Sequence, residues 1–232
     1  SLVVANRTGP DPLQQMLESA FAGQSVSVEE QSLPNVEDDL VLLVEDGEVV
    51  ETSPFSALQE TILLVNSDLY RTGAQRLDSL ELPAVLTGLD DIRFSLRSYP
   101  RSDTEKLLLI VISRYIERRA WRAGKGHFRA SFQSLSRIRD EAGTREVYQT
   151  LGDTPVDVHV YGLPDWTPPP SFDALTHGGR GPNFQHGWFV VFRTPGGGSA
   201  LVAYEMESER WSGFWTTRDS LVEDVTEYVA RE

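Results

Sequence analysis

Two hydrophobic periods alternate along this chain, and they lay out its elements. Residues 2–5 are a short apolar run, the pattern of a buried strand. Asp11 and Pro12 supply an N-cap and a first-turn proline. Leu13, Met16, Leu17, Ala20 and Phe21 follow at helical spacing, and Gly23 closes that helix. Residues 25–29 alternate like a strand. Residues 40–44 and 48–51 flank Asp46-Gly47 and predict a hairpin with a two-residue turn. The order β-α-β-β-β opens an α/β layer structure. Ser53-Pro54 predicts a second helix start, with its end near Gly73. A short helix around 83–89 and a strand at 93–97 come next. Ser102-Asp103-Thr104-Glu105 is a capping box that starts a long helix over 103–123. Leu107 to Ile112 leave that helix no polar face, so it is expected at the centre of the core, with Gly124 as its end.

Residues 127–133 alternate again, with Phe128, Ala130 and Phe132 on one face. A helix over 144–151 precedes a period-two strand at 156–161. The Pro/Gly-rich stretch 164–182 reads as a long surface loop, a lid or linker. Strands at 188–192, 200–204 and 211–216 follow. A last helix, capped at Thr217, turns Leu221, Val222, Val225 and Val229 inward. The fold class is α/β, with α+β as its alternative: a central mixed sheet with flanking helices. One domain over 1–232 is expected, with an N-terminal β-α-β-β lobe over 1–52 as the second reading.

Charge changes the picture. The net charge is −14, yet residues 101–145 hold eleven basic and five acidic side chains, a local +6 that leaves −20 for the rest. Of 21 basic residues two are lysines and 19 are arginines. Such a composition suits a high-salt proteome, where screening tolerates a large net charge; a GC-rich genome gives the same arginine bias. The acidic balance argues against direct nucleic-acid binding. No run approaches the length of a membrane span, no secretory leader is read at the start, and a cytoplasmic protein is expected. With no cysteine, disulfides and thiolate metal sites are excluded.

Three groups of residues could carry chemistry. Arg114, Arg118 and Arg122 recur every four residues and share a helical stripe. Guanidinium forks suit carboxylate and phosphate, so the stripe is a candidate anion or partner face; pairing with internal acids is the plainer use. Asp157, His159 and Tyr161 line one side of their strand, with Trp166 expected at the mouth of a pocket there. Asp157 beside His159 could be an acid–base pair, but no nucleophile motif accompanies it. Asn66 and Asp68 either cap a helix end or face a cavity. His177 and His186 match no zinc spacing. The Gly196–Gly198 run lacks a P-loop lysine and reads as a turn.

Four stretches, LLVNSDLYRTG at 63–73, EKLLLIVISRYIERRAWRAGKG at 105–126, FQSLSRIRDEAGTREVYQTL at 132–151 and VDVHVYGLPDWTPPP at 156–170, together resemble the DICT sensory domain in its haloarchaeal stand-alone form. The resemblance runs over roughly residues 2 to 230. It implies signal sensing or regulation and carries over no catalytic residue, cofactor or ligand. No kinase, cyclase or helix-turn-helix output segment is read in the chain, so the signalling route stays open. The expectation is a non-enzymatic sensory domain that binds a small molecule or a signalling protein, with homodimerisation open and the cofactor unknown. The rivals are a hydrolase or transferase using His159 with Asp157, and a pure interaction adaptor.

Overall fold

A computed structural model describes residues 1–9, 14–15, 17–18, 21, 24–61, 82–89, 91, 93–97, 103–207 and 210–231, with backbone alone at 95–97, 103–108 and 142. The first sheet contains β1 (Leu2–Ala5), β2 (Val28–Gln31), β3 (Leu40–Glu45) and β4 (Glu48–Pro54), in the order β2-β1-β3-β4. β1 runs parallel to β2 and antiparallel to β3. The β3–β4 hairpin turns at Asp46 and Gly47, with φ of 50° and 84°. Both values lie in the left-handed region that a two-residue turn of this hand requires, which Asp-Gly reaches at low cost. Leu2, Val4, Val41 and Leu43 pack one face of this sheet against Leu17, Phe21, Phe55 and Leu58.

The second sheet contains β5 (Arg93–Arg97), β6 (Gly126–Ser134), β7 (Val156–Leu163), β8 (Leu175–Gly178), β9 (Gly187–Thr194), β10 (Gly197–Glu207) and β11 (Arg210–Thr216). Its order is β5-β11-β10-β9-β6-β7-β8, parallel at β6–β7 and β7–β8 and antiparallel elsewhere. The helices are α1 (Ala84–Thr87), α2 (Asp103–Ala123), α3 (Ser136–Asp140), α4 (Ala142–Gly152), α5 (Pro182–His186) and α6 (Asp219–Val229). Residues 55–61 are helical as well. On one face of the sheet, Phe128, Val158, Val160, Phe192 and Leu201 share a core with Ile112 and Ile116 of α2 and Leu151 of α4. On the other, Tyr161, Val191 and Ala200 lie under α5 and α6 through Phe184, Val222 and Val229. This is α/β layering around a mixed sheet, as the periodicity predicts.

α2 serves both sheets. Leu109, Ile112, Ile116 and Ala120 recur at helical spacing and enter the larger core, while Val111 joins the core of the first sheet and Ile110 packs at its rim. The helix stops at Gly124, whose φ of +60° a bare glycine adopts freely, and the Gly124 amide donates to the Ala120 carbonyl at 3.1 Å.

Several boundaries differ from the sequence reading. β2 starts three residues later than expected and ends two later. Pro54 ends β4 opposite Leu40 and does not open the helix; at the end of an edge strand its missing N–H costs nothing. Ser53 accepts a hydrogen bond from the Val85 amide at 3.2 Å. Thr217 is not the cap of α6: Arg218 holds that position without a side-chain capping bond. The stretch 164–182 is more than a loop, because it contains β8, paired to β7. Asp11-Pro12 and Ser102 of the capping box lie outside the described residues.

Candidate functional site

β6, β7 and β8 lie side by side in parallel, so alternate side chains on one face form a row. The register pairs His127 with Asp157, Arg129 with His159, Ser131 with Tyr161, and Tyr161 with His177. Asp157 Oδ2 accepts from His127 Nδ1 at 3.0 Å and from His159 Nε2 at 2.9 Å. His159 Nδ1 lies 2.8 Å from His177 Nε2. The two imidazoles are within 8° of parallel with centroids 5.1 Å apart. That separation is close to the N···N distance plus one ring width, so they meet edge to edge through an in-plane hydrogen bond. His177 then covers the Tyr161 ring at 4.4 Å, 11° from parallel. Arg129 donates to the Tyr161 hydroxyl.

The row runs from an exposed end to a buried one on β7. The side chains of His127 and Asp157 are 61 % and 46 % exposed, that of His159 is 11 % exposed, and Tyr161 is 2 % exposed, while His177, on the edge strand, is half-buried. Burial opposes the Asp157 charge, but hydrogen bonds from His159 and His127 outweigh it and hold the carboxyl below its usual range. Burial pushes the Tyr161 hydroxyl up against the pull of Arg129. Burial first, then a charge on His159 and that on Arg129, push His177 down. Both ring nitrogens of His159 are engaged, so the acid–base role once open to it has no nitrogen turned toward a substrate. Among the described residues no cluster of three or more His, Cys, Asp or Glu could hold a metal ion.

The exposed end of the row opens into a groove of about 640 Å³, lined by Gly126, His127, Arg193, Gly197, Asp219 and Glu223 among others. Small-molecule sites run to roughly 300–1,000 Å³. Arg193 donates to Glu223 at 2.6 Å across it. Gly197 has φ +110°, and a Cβ there would lie 3.4 Å from Asp219 Oδ1 and 3.9 Å from Arg119 Nη2. The glycine thus leaves backbone open between an acid and a base. Arg119 is held by the Gly198 carbonyl at 2.9 Å and Ser199 Oγ at 3.2 Å, tying α2 to β10. A second hollow lies between the sheets, walled by Val26, Leu86, Leu89, Phe94, Val111 and Trp215, but its roughly 20 Å³ holds about one water.

The remaining expected site residues scatter. Trp166 packs edge-on against Phe172, with centroids 6.1 Å apart, beside the core on the valine face. It is therefore not at the mouth of the histidine row, because the turn after β7 carries it to the opposite side of the sheet. Arg114 pairs with Glu117 at 2.7 Å, with side chains 15 % and 4 % exposed. Arg118 is 5 % exposed and Arg122 is exposed. The stripe is therefore one line on the helix but not one open face. Asn66 and Asp68 lie outside the described residues. Sequence reasoning missed His127, Arg129 and His177. The first two occupy the positions complementary to Phe128 and Ala130, a readable signal. His177 reaches the row only because β8 pairs with β7, which no local pattern announces.

Among known families, the sensory domain in diguanylate cyclases and two-component systems, DICT, matches residues 84–206. That span is more than half of the chain and includes the whole histidine row. No curated protein and no solved structure matches the chain. A match of this extent, over the strands and helices that build the row, assigns the protein: it belongs to the DICT family of sensory domains.

Proposed function

We propose that the chain is a cytoplasmic, non-enzymatic sensor in signal transduction that takes a small polar molecule into the groove at His127. Occupancy there passes inward along Asp157, His159 and His177 to the core under α5 and α6, and from there to a signalling partner. The observation that supports this most is the continuity of the row. One unbroken set of hydrogen bonds and ring contacts joins a 61 %-exposed histidine in a groove wall to a 2 %-exposed tyrosine. A ligand that engages the His127 imidazole competes with its bond to Asp157, and that carboxylate is the link between His127 and His159. The groove also offers Arg193, Asp219 and Glu223 to polar groups. The test is native mass spectrometry of protein purified from its own host, beside thermal-shift measurements with polar metabolites. The expected result is a retained small molecule, lost in His127→Gln and Arg193→Gln with little change in the melting temperature of the empty protein. No retained molecule, no metabolite that raises the melting temperature, and identical behaviour of both variants would reject the groove as the ligand site.

A further inference from the structure

The inner end of the same row accounts for its protons one at a time. His159 Nδ1 and His177 Nε2 share one hydrogen bond at 2.8 Å, and one proton lies in it. With both rings neutral, His159 Nε2–H faces Asp157, and His177 Nε2–H donates to the lone pair on His159 Nδ1. One further proton is accommodated. It enters at His177 Nδ1, the shared proton passes to His159, and the resulting imidazolium lies between the Asp157 carboxylate and a neutral His177. A second proton has no such place. It must go to His177 Nε2, which turns the acceptor into an N–H facing the N–H of His159 at that same short distance.

We infer that the His159–His177 pair is a proton-operated latch, in which double protonation drives His177 off Tyr161 and releases the β8 edge from β7. The surroundings favour release. From β6, Arg129 bonds the Tyr161 hydroxyl and His127 bonds Asp157. From β7, Asp157 is the single acid in the row, and His159 already holds it. The other ring and aliphatic neighbours of Tyr161, namely Phe184, Phe189, Val225 and Val229, are apolar and offer no counter-charge. β8 is four residues long and sits at the sheet edge, where among the described residues β7 is its one strand neighbour. His177 is the member whose charge is disfavoured, first by burial and then by His159 and Arg129. Its protonation therefore comes late and at a cost to the folded arrangement. Because its folded-state affinity for protons lies below that of the unfolded chain, the stability it contributes is full above the ordinary histidine range and is lost as pH falls below it.

The latch shares the row with the reading above but not the groove, and its test needs no ligand. Backbone hydrogen exchange of residues 175–178 is measured between about pH 7.5 and pH 5, corrected for the intrinsic pH dependence. Exchange is expected to rise by about tenfold or more toward acid in the natural protein. In His177→Phe, which keeps a ring over Tyr161 and cannot titrate, it should stay flat. A flat profile in the natural protein, or the same rise in the variant, overturns the inference. Histidine NMR titration of the unaltered chain gives a second arm: coupled two-step curves for His159 and His177 are expected, and two independent single steps in the ordinary range reject the pair as a unit.

Discussion

Ile116 is fully buried in the larger core, whereas Ile110, on the same helix, is half-buried at the rim of the smaller one. Removing three heavy atoms from a closed site leaves a cavity, so Ile116→Ala should lower stability by about 2–5 kcal/mol, while Ile110→Ala should lower it less. Urea denaturation of the two variants checks the order, and equal losses would mean that burial along α2 has been misjudged. The charged residues of the helix follow the same rule of place. Arg114 pairs within the helix with the nearly buried Glu117, whereas Arg119 bonds the backbone of β10 and so ties α2 to the larger sheet. Residue-level chemistry was legible where period two governs. The pattern around residues 156–161 put Asp157, His159 and Tyr161 on one face, and the structure keeps them there. It said nothing of how deep each lies, because depth depends on α5, α6 and β8, which approach from elsewhere in the chain. Nor could helical spacing reveal that Arg118 is buried and Arg122 exposed.

At the scale of elements, legibility tracked how local the stop signal is. Gly124 ends α2 and Asp46-Gly47 turns the first hairpin, each by its own backbone freedom, and both were readable. α3 was not, because part of what holds its start comes from residue 165. The Ser136 amide donates to Asp165 Oδ1 at 2.9 Å, Ser136 Oγ donates to Oδ2 at 2.7 Å, and Ser134 Oγ donates to the same oxygen. Slight burial opposes the charge, but these bonds from Ser134 and Ser136 outweigh it and bring the Asp165 carboxyl down to about 2. A carboxyl whose folded value lies below its unfolded one stabilises above the unfolded value and loses that contribution as pH falls through the folded one. The natural protein should therefore melt above Asp165→Asn by a constant margin at pH above about 5, and the margin should shrink between about pH 4 and pH 2. Melting curves at a series of pH values read this directly, and a margin that persists at pH 2 would show that shape, not charge, holds the turn.

For the whole molecule, a net −14 carried on 35 acids and 21 bases sets a long-range repulsion that no single ion pair offsets. If the composition reflects life in high salt, the melting temperature should climb between about 0.1 M and 2 M KCl as screening sets in. An unchanged value would assign the arginine bias to codon usage alone. The layer order was legible at this scale because strand and helix periods alternate without a break. The division into two sheets with α2 between them was less so, since pairing partners far apart in sequence leave no local trace. That helix has a practical consequence for anyone who wants to graft this sensor onto another output. The family match begins at residue 84, but Val85, Leu86, Leu89 and Val111 fill their core with Leu2, Val4, Val41 and Leu43. A clone cut at the matched boundary would carry part of a shared interior into solution as a sticky apolar strip, so a chimera that is meant to stay soluble has to carry the β1–β4 sheet as well.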